Sequence, residues 1–302
     1  MHDLIIVGGG AAALSAAVYA LGKQLDVVIV YEKLGGKAGT QQHLRGQPGD
    51  EYVAGAAAAR ALEQQVLAYP NATICDRVSS VVKNDGVFQV STGQHGVLEG
   101  RSVLVATGAA PKPLEAPGAL ELLGQGLGYS ATTHAHIVAG KPVAVVGTSV
   151  RALRGAAELA RTAAKVYIIA PEAGGLETPL AHSLRQRTNV ELIEGFQVKA
   201  VVGPFNVEAL VIEQGDEHRR LRVNAAFVDL GLVPNSAIVQ KIAQTDADGF
   251  IWVDELNATT LPGLFAAGDV TTAFGEQILI AIGDGARAAL SAYDYILTHT
   301  PA

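Results

Sequence analysis

The chain has 302 residues, enough for one large domain or two ordinary ones. Apolar residues make up 49% and charged residues 17%, which supplies a sizeable core and excludes a disordered chain. Twenty-nine acids against 22 bases leave a net charge of −7, the wrong sign for a general nucleic-acid binder, and one cysteine, Cys75, excludes an intramolecular disulfide and a Cys-type metal site.

The N-terminus, Met1-His2-Asp3 and then a short apolar run, lacks the basic start and longer apolar stretch of a signal peptide. No uninterrupted apolar run is long enough for a membrane helix, so the expectation is a cytoplasmic protein without a membrane partner. Residues 3–7 read as a buried strand, Gly8-Gly9-Gly10 as a break, Ala11–Leu21 as a small-residue helix and Asp26–Tyr31 as a second strand. An Ala-rich helix is expected at Ala54–Ala61. Cys75 falls in a short strand from Ala72 to Val78 and reads as a small buried core residue, with a reactive thiol as the alternative. Further strands are expected around Val78–Val82, Val87–Val90 and Val103–Ala106.

The same grammar recurs with a strand at Val143–Val146, a turn at Gly147, a helix from Val150 to Ala163 and a strand at Val166–Ala170. Strands at Val190–Ile193, Val198–Val202 and Val207–Glu213, a turn at Gln214-Gly215-Asp216, and strands at Leu221–Val223 and Phe227–Leu230 follow. A strand at Leu264–Ala267 and a helix from Glu276 to Leu297 complete the chain. Two βαβ units predict an α/β protein with two Rossmann-like, doubly wound domains.

Gly8-Gly9-Gly10-Ala11-Ala12-Ala13 fits a dinucleotide fingerprint between a strand and a helix. Gly8 permits the tight turn, Gly10 lets a pyrophosphate approach the backbone, and Ala13 keeps the helix close to the sheet. Gly8, Gly10, Ala11 and Ala12 are the expected pyrophosphate cradle, and Glu32, at the end of the second strand, can accept hydrogen bonds from a ribose diol. Leu261-Pro262-Gly263-Leu264-Phe265-Ala266-Ala267-Gly268-Asp269-Val270 resembles the second FAD fingerprint of two-domain flavoprotein reductases. Val105-Ala106-Thr107-Gly108-Ala109 resembles the motif that closes their FAD domain.

With these motifs the chain resembles the low-molecular-weight thioredoxin reductases nearly end to end. Gly35-Gly36-Lys37 through Gln47-Pro48-Gly49 is similar to their flavin loop, Val233-Pro234-Asn235 to the exit from their nucleotide domain, and Glu276-Gln277-Ile278 to the start of their last helix. The resemblance implies FAD as cofactor and no metal. It places Lys33, Gly36, Lys37, Val78, Ala106, Thr107 and Gly108 in the cofactor set. It assigns Gly268 and Asp269 to the ribityl-phosphate side, and Gln277 and Ile278 to the flavin pyrimidine. It implies a homodimer, and an FAD domain of residues 1–112 plus 244–302 with an NAD(P)-type domain, 113–243, inserted.

The departures concern the chemistry. Thr132 and Ala135 stand where the family has its two cysteines, and neither forms the thiolate that dithiol chemistry needs. His136 stands where the family has an acid–base Asp. His134 and His136 could shuttle protons to reduced flavin, but the favoured reading is that they are ordinary loop or surface histidines. In Gly147-Thr148-Ser149-Val150-Arg151-Ala152, Ser149 replaces the glycine that meets the pyrophosphate. The next strand ends in Pro171-Glu172-Ala173, with no base for a 2′-phosphate. Arg151 and Arg154 read as solvated charges or as holders of another anion.

The expected function is FAD-dependent electron exchange with a small redox protein, such as a ferredoxin-type donor, or a small molecule. One alternative is a nicotinamide-linked reductase resembling the thioredoxin-reductase-like ferredoxin–NADP reductases. The other is a non-catalytic FAD-binding sensor.

Overall fold

The computed structural model describes residues 1–39, 55–131, 135–172 and 174–299. Among these, unit 1 takes residues 1–39, 55–110 and 233–299, and unit 2 takes 111–131, 135–172 and 174–232. Each has the doubly wound α/β character expected of it.

Unit 1 opens with β1 (His2–Val7), α1 (Ala11–Gly22) and β2 (Val27–Tyr31). β1 pairs in parallel with β2, and Leu4, Ile5 and Ile6 are fully buried, as an unbroken apolar strand covered on both faces should be. The Ala-rich stretch becomes α2 (Ala56–Leu67). β3 (Thr73–Cys75) pairs in parallel with β2, and β4 (Val78–Asn84), β5 (Val87–Thr92) and β6 (Val97–Val105) follow. Asp85 and Gly86, at φ 49° and 84°, make the tight β4–β5 turn, the sequence signature of a two-residue hairpin. The sheet runs β3-β2-β1-β6-β5-β4. Cys75 is exposed rather than a core residue, because it ends the short edge strand β3.

β7 (Ala109–Pro111) and, much later, β16 (Leu232–Pro234) carry the chain between the units and pair with each other as a two-stranded sheet. Unit 2 holds β8 (Leu127–Gly128), β9 (Pro142–Val146), α3 (Val150–Leu159), β10 (Lys165–Ala170), α4 (Pro179–Arg185) and β11 (Val190–Glu194). The helix α3 stops at Leu159 rather than running to Ala163. There the Asn189 side-chain amide donates to the carbonyls of both Ala160 and Ala163, at 3.0 Å each, ending the turn. β12 (Gln197–Val202), β13 (Ala209–Gln214) and β14 (Glu217–Arg222) form an antiparallel sheet, and β15 (Ala225–Val228) returns to the parallel one. The parallel order is β11-β10-β9-β15-β8, so the strand order reverses between β9 and β15.

β16 (Leu232–Pro234) leads back into unit 1. The return comes before residue 243, the sequence-based boundary. Asn235 bonds Thr107 in both directions, its Nδ2 donating to Thr107 O at 2.9 Å and its carbonyl accepting from Thr107 Oγ1 at 2.7 Å. Val239 is fully buried among unit 1 core residues. β17 (Leu264–Ala266) then pairs in parallel with β6, and α5 (Ile278–Thr298) closes the unit against α1. The two helices cross so closely that a Cβ on Gly285 would fall on the Ala12 carbonyl. Ser15 Oγ donates to Ile282 O at 2.7 Å across the same crossing, and Ala288, Ala289 and Ala292 pack with Ala13, Ala16 and Ala17. The abundance of Ala and Gly is what permits this approach.

Candidate cofactor site

α1 starts directly behind β1, so its free N–H groups and positive dipole end lie at the carboxyl edge of the parallel sheet. Gly10 is the N-cap residue, no side chain caps the turn, and a Cβ there would meet nothing within 4 Å. The helix start is therefore open to an anionic ligand. Gly8 sits at φ 129°, and a Cβ on it would fall on the Ala106 carbonyl, so the turn demands glycine and places Ala106 and Thr107 beside it. Ala11, Ala12 and Ala13 form the first turn, with Ala13 fully buried against the core.

Most of the expected cofactor residues converge here. Gly35 N donates to Gly9 O at 2.9 Å, drawing the next loop over the turn and setting Gly36 against Gly10. Lys37 in that loop forms an ion pair with Asp269, which is largely buried at the end of the segment after β17. Gly268 lies against Ala12 and near Ala281 of α5. Gln277 is the N-cap of α5 and, like Gly10, makes no side-chain cap bond. Ile278 begins that helix. The Thr107 carbonyl and hydroxyl are both held by Asn235, and Gly108 O accepts from Asn235 N at 2.9 Å.

Glu32 and Lys33 follow β2 and are exposed; Arg77 Nε lies 3.8 Å from Glu32 Oε1. Val78 is buried at the start of β4, next to Arg77 and so on the Glu32 side of the site. The turn before it is pinned by Asp76. Asp76 Oδ2 pairs with His95 Nδ1 at 2.8 Å and accepts from Gln94 N at 2.7 Å, while Oδ1 accepts from Arg77 N at 2.7 Å. The His95 bond, then the Gln94 N–H, hold this carboxyl far below the usual carboxylate range.

One acid at the site was missed from sequence. Asp284, buried in α5 between Gly283 and Gly285, accepts a hydrogen bond from Gly268 N–H and lies 3.4 Å from Arg287 Nη1. Burial raises its carboxyl above the ordinary value, against the opposing pull of Arg287 and of the Gly268 N–H. An acid between two glycines on a small-residue helix is the signal that could have marked it.

The open helix start, the turn glycines and the Lys37–Asp269 pair fit a dinucleotide pyrophosphate with a polyol chain beside it. Unit 2 differs at the same point of its fold. Ser149 is the N-cap of α3, and its Oγ accepts from Ala152 N at 2.9 Å, taking up an N–H that a phosphate would use. Arg151 is not a solvated charge: Nε and Nη2 grip Asp229 Oδ2 and Oδ1 at 2.5 and 2.7 Å. Arg154 and Glu172 are exposed.

Thr132 and His134 lie outside the described residues, as do Gln47-Pro48-Gly49 of the flavin loop and Ala173; of His136 only the backbone is described, in a 3-10 turn with Ala135. Among the described residues no group of His, Cys, Asp and Glu could hold a metal ion, and no helix is long and apolar enough to cross a membrane.

Residues 2–285 match the pyridine nucleotide-disulphide oxidoreductase family. An alkyl hydroperoxide reductase subunit, that of Staphylococcus aureus (strain Mu50), is 33% identical over 307 residues, which is 98% of this chain and 59% of the relative. A protein of Bacillus subtilis (strain 168) named NADH dehydrogenase is 31% identical over 300 residues, 98% of this chain and 58% of the relative. The chain thus spans a little under three fifths of these relatives' length. A thioredoxin reductase structure from Streptococcus pyogenes superposes with a TM-score of 0.85 at 26% identity, covering 99% of both chains. Pairs of Rossmann-like units, a discontinuous first unit and a family match over nearly the whole chain converge: the chain belongs to the pyridine nucleotide-disulphide oxidoreductase family and has the thioredoxin reductase fold.

Proposed function

We propose that this flavoprotein passes electrons directly between FAD and a separate redox partner, a small redox protein or small molecule, without a dithiol relay. One observation carries the reading: the whole chain has a single cysteine, Cys75, and it sits at the end of β3 in unit 1. Two neighbouring thiols are required to take a hydride equivalent from flavin and deliver it to a disulfide. FAD, when bound, supplies the electron chemistry. The chain's own residues bind and tune it. Gly10, Ala11 and Ala12 present backbone N–H groups to the pyrophosphate, Gly8 makes the tight turn that lets it approach, and Ala13 packs the helix behind them. Glu32, with Lys33 and Val78 nearby, takes the adenosine side. Gly36, Lys37, Gly268 and Asp269 line the ribityl-phosphate side. Gln277 and Ile278 present a helix N-terminus to the pyrimidine, where negative charge gathers on reduction. Ala106, Thr107 and Gly108 close the domain behind the cofactor. His134 and His136 belong to the proposal as proton shuttles to the reduced flavin. A homodimer in the cytoplasm completes it.

Unit 2, in this reading, has the NAD(P)-type fold but delivers no nicotinamide, which the Ser149 cap supports. A nicotinamide-linked flavin reductase is the second reading, favoured by the relative named NADH dehydrogenase. Anaerobic addition of NADH or NADPH to the purified, flavin-loaded protein separates the two. The proposal expects the flavin absorbance to stay unchanged with either nucleotide and to fall with a ferredoxin-type donor. Rapid bleaching by a nicotinamide sinks it, and a flavin that no donor reduces points to a sensor.

A further inference from the structure

The crevice of unit 2 carries a built-in ion pair. In an open α/β sheet a ligand binds outside the carboxyl ends of the strands where the strand order reverses. Here that point lies between β9 and β15. Gly147 follows β9 at φ 128°, and a Cβ on it would fall on the Asp229 carbonyl. Asp229 N donates to Val146 O at 2.7 Å, which ties the residue after β15 to the last residue of β9. Arg151, in the first turn of α3, then reaches across and grips the Asp229 carboxylate with two parallel hydrogen bonds. The Asp229 side chain is 8% exposed and that of Arg151 33%, so the bridge lies within the crevice rather than on its rim.

We propose that Asp229 is the specificity-determining residue of unit 2: it occupies, as an internal anion, the place a dinucleotide pyrophosphate would take, and holds Arg151 neutralised there. The inference rests on the reading above, in which unit 2 delivers no nicotinamide, and gives that reading a cause beyond the Ser149 cap. A phosphate entering this crevice meets a carboxylate already paired with the nearest guanidinium, and it can recruit Arg151 only by leaving Asp229 buried and unpaired. The converse follows. Without the carboxylate, the same guanidinium stands beside a helix N-terminus as an anion-binding group.

The test is a calorimetric titration of ADP, and in parallel inorganic pyrophosphate, into the flavin-loaded full chain. Wild type is expected to bind ADP weakly or not at all. Asp229→Ala and the isosteric Asp229→Asn are expected to bind it at least tenfold more tightly, and the double variant Arg151→Ala/Asp229→Ala to lose that gain. The isosteric variant carries the test should the alanine variant fail to fold. A wild type that binds ADP as tightly as the Asp229 variants overturns the inference, as does a gain that persists without Arg151. The titration reads binding and not electron transfer, so nicotinamide bleaching would sink the proposed function while an ADP-binding wild type would sink this inference.

Discussion

Lys37 and Asp269, one from the loop after β2 and one from the segment after β17, form an ion pair at the mouth of α1. The Lys37 side chain is 53% exposed and that of Asp269 only 14%. The two therefore differ in what they lose on substitution. Asp269→Ala removes a largely buried charged acceptor and is expected to weaken FAD retention by about 10- to 100-fold, the worth of a charge-assisted hydrogen bond of about 1.5–3 kcal/mol. Lys37→Ala should cost tenfold or less, because solvent already screens it. Flavin fluorescence released on dilution measures both, and equal losses would refute the asymmetry.

Gly10 and Ser149 occupy matching N-cap positions of α1 and α3 with opposite chemistry. Gly10→Ser offers the helix an internal acceptor where a Cβ meets nothing within 4 Å. It should weaken FAD binding while leaving apoprotein stability within about 0.5 kcal/mol of wild type. Ser149→Ala should destabilise the protein by about 1 kcal/mol, and Ser149→Gly by only a few tenths. Urea titration with near-UV detection orders the variants. A Gly10→Ser protein that binds FAD normally would show that the open helix start is not used.

Gly283 and Gly285 are two residues apart in α5 but meet different surroundings. A Cβ on Gly283 meets nothing within 4 Å, whereas one on Gly285 falls on the Ala12 carbonyl at the α1 crossing. Gly283→Ala is expected to stabilise by up to about 1 kcal/mol through helix propensity. Gly285→Ala should destabilise by about 1–3 kcal/mol or more, and weaken FAD binding with it, because the shifted helix moves the first turn of α1. Thermal melts with and without excess FAD check both. A neutral Gly285→Ala would mean the crossing is looser than its geometry.

Asp76 and Asp284 give stability opposite pH dependences. The carboxyl of Asp76 is depressed, chiefly by His95, so its contribution is present above about pH 4, the unfolded value, and falls away as pH drops below it. The carboxyl of Asp284 is raised, chiefly by burial, so its contribution is full below about pH 4 and is lost as pH rises through its folded value. The stability deficit of Asp76→Asn relative to wild type should therefore shrink as pH falls from 6 to 3. Asp284→Asn should instead gain on wild type as pH rises from 4 towards 7. Denaturant midpoints at several pH values give the two slopes, and slopes of the same sign would be inconsistent with these environments.

Much of this architecture is legible in the sequence because buried parallel strands read as apolar runs broken by glycine. Leu4–Val7 and Val143–Val146 are buried on both faces and announce themselves locally. The residues that meet around the start of α1 were legible for the same reason, since most lie at or near a strand end or a helix start. Cys75 was misplaced because an edge-strand end and a core strand share the same composition. The Arg151–Asp229 pair spans 78 residues and follows no local period, so only the folded chain could join them. The early return to unit 1 depends on Asn235 meeting Thr107, an equally non-local bond.

The crossing of α1 by α5 also governs how the molecule is made. On the ribosome, β1 and α1 emerge before the described residues of unit 2, yet the helix that covers them and the segment carrying Asp269 emerge only after those residues. At about 5–20 residues per second, the nascent first unit waits on the order of ten seconds or more for its partner. Unit 2, continuous in sequence among its described residues, has no such wait. Unit 2 can therefore be complete while unit 1 still lacks the helix and the acid that close its site, and a chain truncated before Asp269 would lack both.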